Sequence, residues 1–236
     1  MKRIHRSVDR GSADHGWLKA RHSFSFAGYH DPNKMNFGVL RVLNDDIIEG
    51  GQGFGAHPHE NMEIVSIILQ GALAHKDSNG NEHVSYKNGL QVMSAGTGIH
   101  HSEYNGSDFE ITNLLQLWVF PDRKGHTPRY DQSDLNDEEM NNKLCLAVGP
   151  KESDAKLWIN QKAYFSLGNF EEGVKVSYKK YLEENGLYLF VIDGSLTIAG
   201  ETLARRDAIG LDGDEDINLE FTSDSKILII DLPMLV

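Results

Sequence analysis

Six short apolar runs, FGVLRVL, EIVSIILQG, LLQLWVF, LYLFVIDG, LTIAG and KILIIDL, are separated by segments rich in Gly, Asn and Asp. Runs of this length, carrying Val and Ile and bounded by turn residues, read as β-strands; a core helix needs a longer pattern with apolar residues three and four apart. No long amphipathic pattern competes with them. The best helical segment, SDLNDEEMNNKL at 133–144, opens on capping residues but is too polar to be central. It is expected to hold one or two turns or to act as a linker. The chain is therefore expected to be all-β, a barrel or a sandwich.

The runs also repeat. IVSIILQGALAH at 64–75 lies over LYLFVIDGSLTI at 187–198, with Gly71 on Gly194 and Leu73 on Leu196. A strand, a tight Gly turn and a second strand thus occur twice, as in two copies of one unit, and 236 residues suit two small domains. The polar stretch between them sets the expected boundaries: a first domain at 1–132, a linker at 133–143 and a second domain at 144–236.

All 11 histidines lie at or before residue 126, and the same offset puts Lys180 and Leu182 opposite His57 and His59. Whatever uses histidine is in the first half. In AHPHENMEIV (56–65), His57 and His59 are two apart, and alternate side chains of a strand share a face. Pro58 between them offers the ladder no N–H and marks an edge or a strand start. Glu63 joins their face if the strand runs regularly across Asn61. In SAGTGIHHSEYN (94–105), His101 and Glu103 share one face and His100 takes the other. Two such pairs on neighbouring strands give three nitrogens and one oxygen, a donor set for a divalent transition ion with positions left open; iron, manganese, nickel, copper and zinc all accept it. His100 is expected to be a hydrogen-bonded core residue or a surface one. His5, His15, His30, His75, His83 and His126 are expected on the surface or in loops.

Composition excludes several functions. Lys and Arg number 23 against 35 Asp and Glu, and the resulting charge of -12 opposes phosphate attraction, so no direct nucleic acid binding is expected. The single cysteine, Cys145, rules out an internal disulfide framework and a thiolate zinc site, fits a reducing compartment, and reads as a small apolar filler. No 18 apolar residues run together, and the basic start MKRIHRSVDRGSADHG has no apolar core of a signal peptide. A cytoplasmic, soluble protein with no membrane association is expected.

GQGFGAHPHENMEIVSIILQG resembles the first cupin motif, filled here by Gly51, His57, His59, Glu63 and Gly71, with a last spacer one residue longer than the commonest form. GTGIHHSEYN resembles the end of the second motif through Gly98, His101 and Asn105, with Gly96 where a proline is usual. Together with HGWLKARHSFSFAGYHDP (15–32) and TPRYDQ (127–132), these segments resemble the pirin family, and within it the bacterial members described as quercetin 2,3-dioxygenases. The likeness is specific from Gly11 to about Gln132 and looser beyond.

The resemblance implies a bicupin, two cupin β-barrels packed together, with metal bound only in the first, by His57, His59, His101 and Glu103. Glu63, a ligand in many other cupins, is then expected behind the ligands, orienting a histidine or a bound water. One divalent metal per chain is implied, Fe(II) first and Mn, Ni, Cu, Co or Zn after it. A flavonol or other small phenolic substrate and O2 would be the partners, with Glu103 as catalytic base. Phe24, Phe26, Phe54 and Trp17 are candidates for apolar walls around a flat ligand. The alternative implied by the family is a metal-binding regulatory module with a protein partner, since eukaryotic pirins are described as cofactors of transcription factors. The basic doublets KK at 179–180 and RR at 205–206 do not make a nuclear address.

Overall fold

The computed structural model describes residues 1–213 and 217–235. Among them the regular structure is β-strand, apart from a 3-10 turn at Ser7–Asp9 and one α-turn at Asp137–Met140, so the all-β expectation holds. In the polar 133–144 segment Ser133 and Asp134 end strand Arg129–Asp134 and the α-turn follows; Asn136 caps it, with Glu139 completing the capping box.

The strands make two similar units, each a seven-stranded sheet facing a four-stranded one. In the first unit the large sheet runs Arg129–Asp134, Gly89–Ser94, Glu63–Gln70, Thr112–Val119, Leu40–Ile48, Leu18–His22, Gly11–Asp14. Its small sheet runs Gly53–His59, Ile99–Asn105, Ala72–Asp77, Glu82–Tyr86. In the second unit Gly186–Asp193 and Ser225–Leu232 lie at the centre of the large sheet, as Glu63–Gln70 and Thr112–Val119 do in the first. One edge strand of that second large sheet is Lys2–His5, paired antiparallel with Ala208–Leu211, so the start of the chain laces onto the far half.

The Gly turns of the repeat are real and constrained. Gly71 has φ +75° and Gly194 φ +80°, and a Cβ would stand 2.5 Å from the Ile111 carbonyl oxygen at one and 2.2 Å from that of Asp224 at the other. A left-handed backbone and a clash with main chain act together at both, so Gly71→Ala and Gly194→Ala are each expected to cost about 2–4 kcal/mol. Urea melts would check this; a loss below about 0.5 kcal/mol at both would show that the turns relax freely.

Strands buried on both faces explain the near-continuous apolar runs. In Glu63–Gln70, Val65 and Ile67 belong to the core shared by the two halves, with Leu115 and Leu117 beside them and Phe165, Phe190, Leu228 and Ile230 across. Ile64 and Ile68 pack in separate clusters on the opposite face, within the first barrel. Phe24 also sits in the shared core, 5.6 Å ring to ring from Tyr188, which removes it from the expected cavity walls. The second barrel is filled by Leu187, Leu189, Leu196, Leu219, Phe221 and their neighbours, so its interior is apolar where the first holds histidines.

Two histidines depart from the surface or loop placement expected of them. His5 is buried in the lacing strand, its Nδ1 2.9 Å from the Tyr188 hydroxyl, and burial pushes its pKa down to about 4. His75 is buried in Ala72–Asp77, with Nε2 3.0 Å from Asp77 and its ring stacked on Tyr130 at 3.9 Å. Neither burial is visible locally, because each depends on a partner far along the chain. His15, His30 and His83 are exposed, and His126 is half-buried in a loop beside Asp122.

Candidate metal centre and its cavity

Gly53–His59 and Ile99–Asn105 are antiparallel neighbours in the first small sheet, with His57 directly opposite His101 and His59 opposite Ile99. Period-2 alternation turns His57, His59 and His101 to one side, while Pro58 and His100 are exposed. One ring nitrogen from each of the three histidines lies within 4.8 Å of the other two. The rings are 4.4 Å apart for His57 and His101, and 4.9 Å for each of the other pairs.

The electrostatics suit ligation. Burial, reinforced by the neighbouring imidazoles, lowers the His59 pKa to about 4 and that of His101 to about 3, so both are neutral at neutral pH, the form that binds metals. His57 donates from Nδ1 to the Gly55 carbonyl at 2.8 Å, which leaves Nε2 free. His101 is buried, and neither of its nitrogens has a hydrogen-bond partner among the described residues. Two unpartnered nitrogens beside two further imidazoles form a donor set that a cation would satisfy. The residues present fit a single bound metal ion.

Glu103, past a bulge in the same strand, is buried outside this three-nitrogen cluster and lines the adjoining cavity. Its Oε2 accepts from Gln116 Nε2 at 2.7 Å, and Ser66 Oγ lies 3.4 Å from Oε1. Gln116 Oε1 in turn accepts from Trp118 Nε1 at 3.3 Å, which fixes the amide's orientation. Glu63 takes a different place from the one expected. Asn61, with φ +50°, lies in the bend between strand Gly53–His59 and strand Glu63–Gln70, so the regular alternation with His59 is broken. The Glu63 carboxylate accepts from Ser94 at 2.7 Å and from Asn160 of the second half at 3.0 Å, and burial raises its pKa. Its bonds join the two halves rather than orient a histidine.

The cavity has a volume of about 210 Å³. Three strands of the large sheet build its wall by alternation: Leu18, Ala20 and His22; Asn44 and Asp46; Gln116 and Trp118. Phe26 and Phe54 also line it, as expected, and Trp17 packs edge-on against Phe54 at 5.2 Å. The Trp118 ring stands at 82° to His59, 4.8 Å away, and edge-on to Phe26 at 5.3 Å. His22 and Asn44 bond each other at 2.8 Å. Asp46 is different: its carboxyl makes no hydrogen bond within the described residues, Oδ1 is fully buried, and burial with Asp45 and Glu103 nearby pushes its pKa up to about 8. The sequence reading missed Asp46, Gln116 and Trp118, whose only signal is alternation on strands from distant segments.

The pirin family model matches residues 3–119, and that of a quercetinase C-terminal cupin domain matches 146–232. A quercetin 2,3-dioxygenase of Escherichia coli K12 is 40% identical over 98% of both chains. The chain belongs to the pirin family. A pirin-like protein of Caulobacter vibrioides is 37% identical over 94% of this chain and 95% of that one. The crystal structure of the bacterial pirin YhhW from E. coli in complex with nickel(II) superposes with a TM-score of 0.93 at 38% identity, covering 99% of each chain. The fold of this pirin is accordingly a bicupin, and its three-histidine cluster lies in the first cupin.

Proposed function

We propose that this pirin is a metal-dependent dioxygenase that opens the heterocycle of flavonols such as quercetin with O2. One observation carries the reading: three imidazoles converge at a small, largely apolar cavity that has a carboxylate in its wall. The names of full-length relatives support the substrate class. His57, His59, His101 and Glu103 would hold one divalent transition metal, with Fe(II) as the first assignment. Such an ion, when bound, lowers the pKa of a coordinated hydroxyl.

The chain's own groups supply the rest. A cavity of 210 Å³ is below the usual 300–1,000 Å³ of ligand pockets, so it takes in the metal-facing part of a flavonol and leaves the remainder in its mouth. Trp118, Phe26 and Phe54 flank a planar ring and exclude water. Glu103, held by Gln116, keeps lone pairs with which to take the substrate's hydroxyl proton. Asp46 accepts a hydrogen bond from a ring hydroxyl, a role open to it in either protonation state. Turnover of quercetin under ¹⁸O2 tests the reaction: both labelled atoms should appear in products. One labelled atom instead would mean a monooxygenase, and none a hydrolase.

The two carboxylates separate the ligand set from that of other cupins. Glu103→Ala is expected to weaken metal affinity more than Glu63→Ala, whose loss should cost no more than the roughly 10–100-fold typical of outer partners. Competitive chelator titration measures both. An empty Glu63→Ala site beside a full Glu103→Ala site would reverse the assignment.

A further inference from the structure

A second cleft, about 490 Å³, lies where the two halves meet, on the far side of strand Leu40–Ile48 from the cavity. Asp45 and Asp46 are consecutive on that strand and point opposite ways, Asp46 into the cavity and Asp45 into this cleft. Arg10, Arg21, Arg205 and Arg206 also line it, and Asp45 is the single acid among its lining residues. Four arginines around one acid run against a chain that carries -12 overall.

The acid does not satisfy them. Asp45 Oδ2 is 3.7 Å from Arg10 Nη1 and 3.3 Å from Arg206 Nε, while Oδ1 is taken by Asn113 Nδ2 at 2.9 Å. The Arg10 side chain is only 2% exposed, and burial lowers the pKa of both guanidiniums, as expected for cations short of counter-charge. Arg10 Nε and Arg206 Nη1 are buried without an acceptor among the described residues. Among the described residues Arg21 forms no ion pair, and Arg205 has only an exposed one with Asp193 at 3.3 Å. Arg206 is moreover held at φ +68°, a left-handed backbone that Gly or Asn adopts more cheaply.

A bridge between the halves explains part of this, since Arg206 Nη2 donates to Asn113 Oδ1 at 3.0 Å and Arg10 Nη2 to the Arg21 carbonyl at 2.9 Å. It does not explain the surplus of cations, the donors without acceptors, or an open cleft of ligand size. We propose that this cleft is a binding site for a small-molecule oxyanion, a phosphate or a carboxylate, separate from the metal centre. Guanidinium groups pair such anions through parallel N–H donors, and two arginines at the rim with two at the floor can surround one. Ile47 and Val8, the latter highly exposed, give the ligand an apolar flank.

Calorimetric titration of the full-length protein with inorganic phosphate, and separately with succinate, tests the site against sodium chloride at matched ionic strength. Saturable binding of one anion per chain is expected in at least one arm, and the stronger arm distinguishes phosphate from carboxylate. Arg206→Gln and Arg21→Gln should each weaken it about 10–100-fold, the worth of a charge-assisted hydrogen bond, and the exposed change Lys175→Gln should not. Arg21 is on the surface, so its variant reports even if Arg206→Gln folds poorly. The proposal is overturned if neither anion saturates, or if Arg21→Gln binds as tightly as the unaltered protein.

Discussion

His101→Ala is expected to abolish stoichiometric metal binding and to reduce quercetin-dependent O2 uptake to the level of the metal-free protein, while the fold survives. His101 faces His57 across the ladder and keeps both nitrogens unpartnered in a buried place. Removing it deletes a donor that neither neighbour can replace, so the loss should exceed the 10–100-fold typical of outer partners. In the metal-free protein the variant costs little, because the cavity created is offset by removing two unsatisfied polar atoms. There is also a pH signature. With folded pKa values of about 4 and 3, His59 and His101 resist protonation while the unfolded chain accepts protons near 6.5. Metal-free stability therefore falls as pH drops from about 6.5 to 3, and His101→Ala should flatten that fall. Thermal melts across this range, with metal analysis at neutral pH, check the set; an Ala variant that retains one tightly bound ion would refute it.

Asp46→Asn is expected to stabilise the metal-free protein, and more so at pH 8 than at pH 5. The carboxyl is buried without a partner among the described residues, and its folded pKa of about 8 stands above the ordinary unfolded value near 3.9. Below about pH 4 the group is protonated in both states and costs nothing extra. Between the two pKa values folding must take up a proton, at about 1.4 kcal/mol per pH unit, and above about pH 8 the penalty is complete. Allowing for the amide's own desolvation, the variant should gain roughly 1–3 kcal/mol at neutral pH. Urea melts at pH 5 and 8 measure it; an equal difference at both values would mean that the folded protein compensates the ionised form. A group retained at such a cost is one whose use lies in the cavity it faces.

The histidine pairs and the Gly turns were legible because each is a local pattern: alternation brings i and i+2 to one face, and a repeated strand–Gly–strand unit shows itself by simple offset. The cavity wall was not. Leu18, Asn44, Asp46, Gln116 and Trp118 lie on three strands whose order in the sheet, with Leu40–Ile48 between Thr112–Val119 and Leu18–His22, is set by long-range pairing. Asp45 and Asp46 read locally as a polar doublet, and only the sheet shows that they divide between two sites. Lys2–His5 was similarly opaque, since its partner strand lies some 200 residues away. Asn61 explains the misplacement of Glu63: one left-handed residue breaks the alternation on which its expected face depended.

Oxygen consumption by the protein, metallated under anaerobic conditions with Fe, Mn, Ni, Cu or Co and then given quercetin and O2, tests the central claim most directly. One bound ion per chain, with flavonol-dependent uptake well above that of the same ion free in buffer, is the predicted result. A fully loaded protein that turns over quercetin no faster than free metal, with each of the five ions, would contradict it.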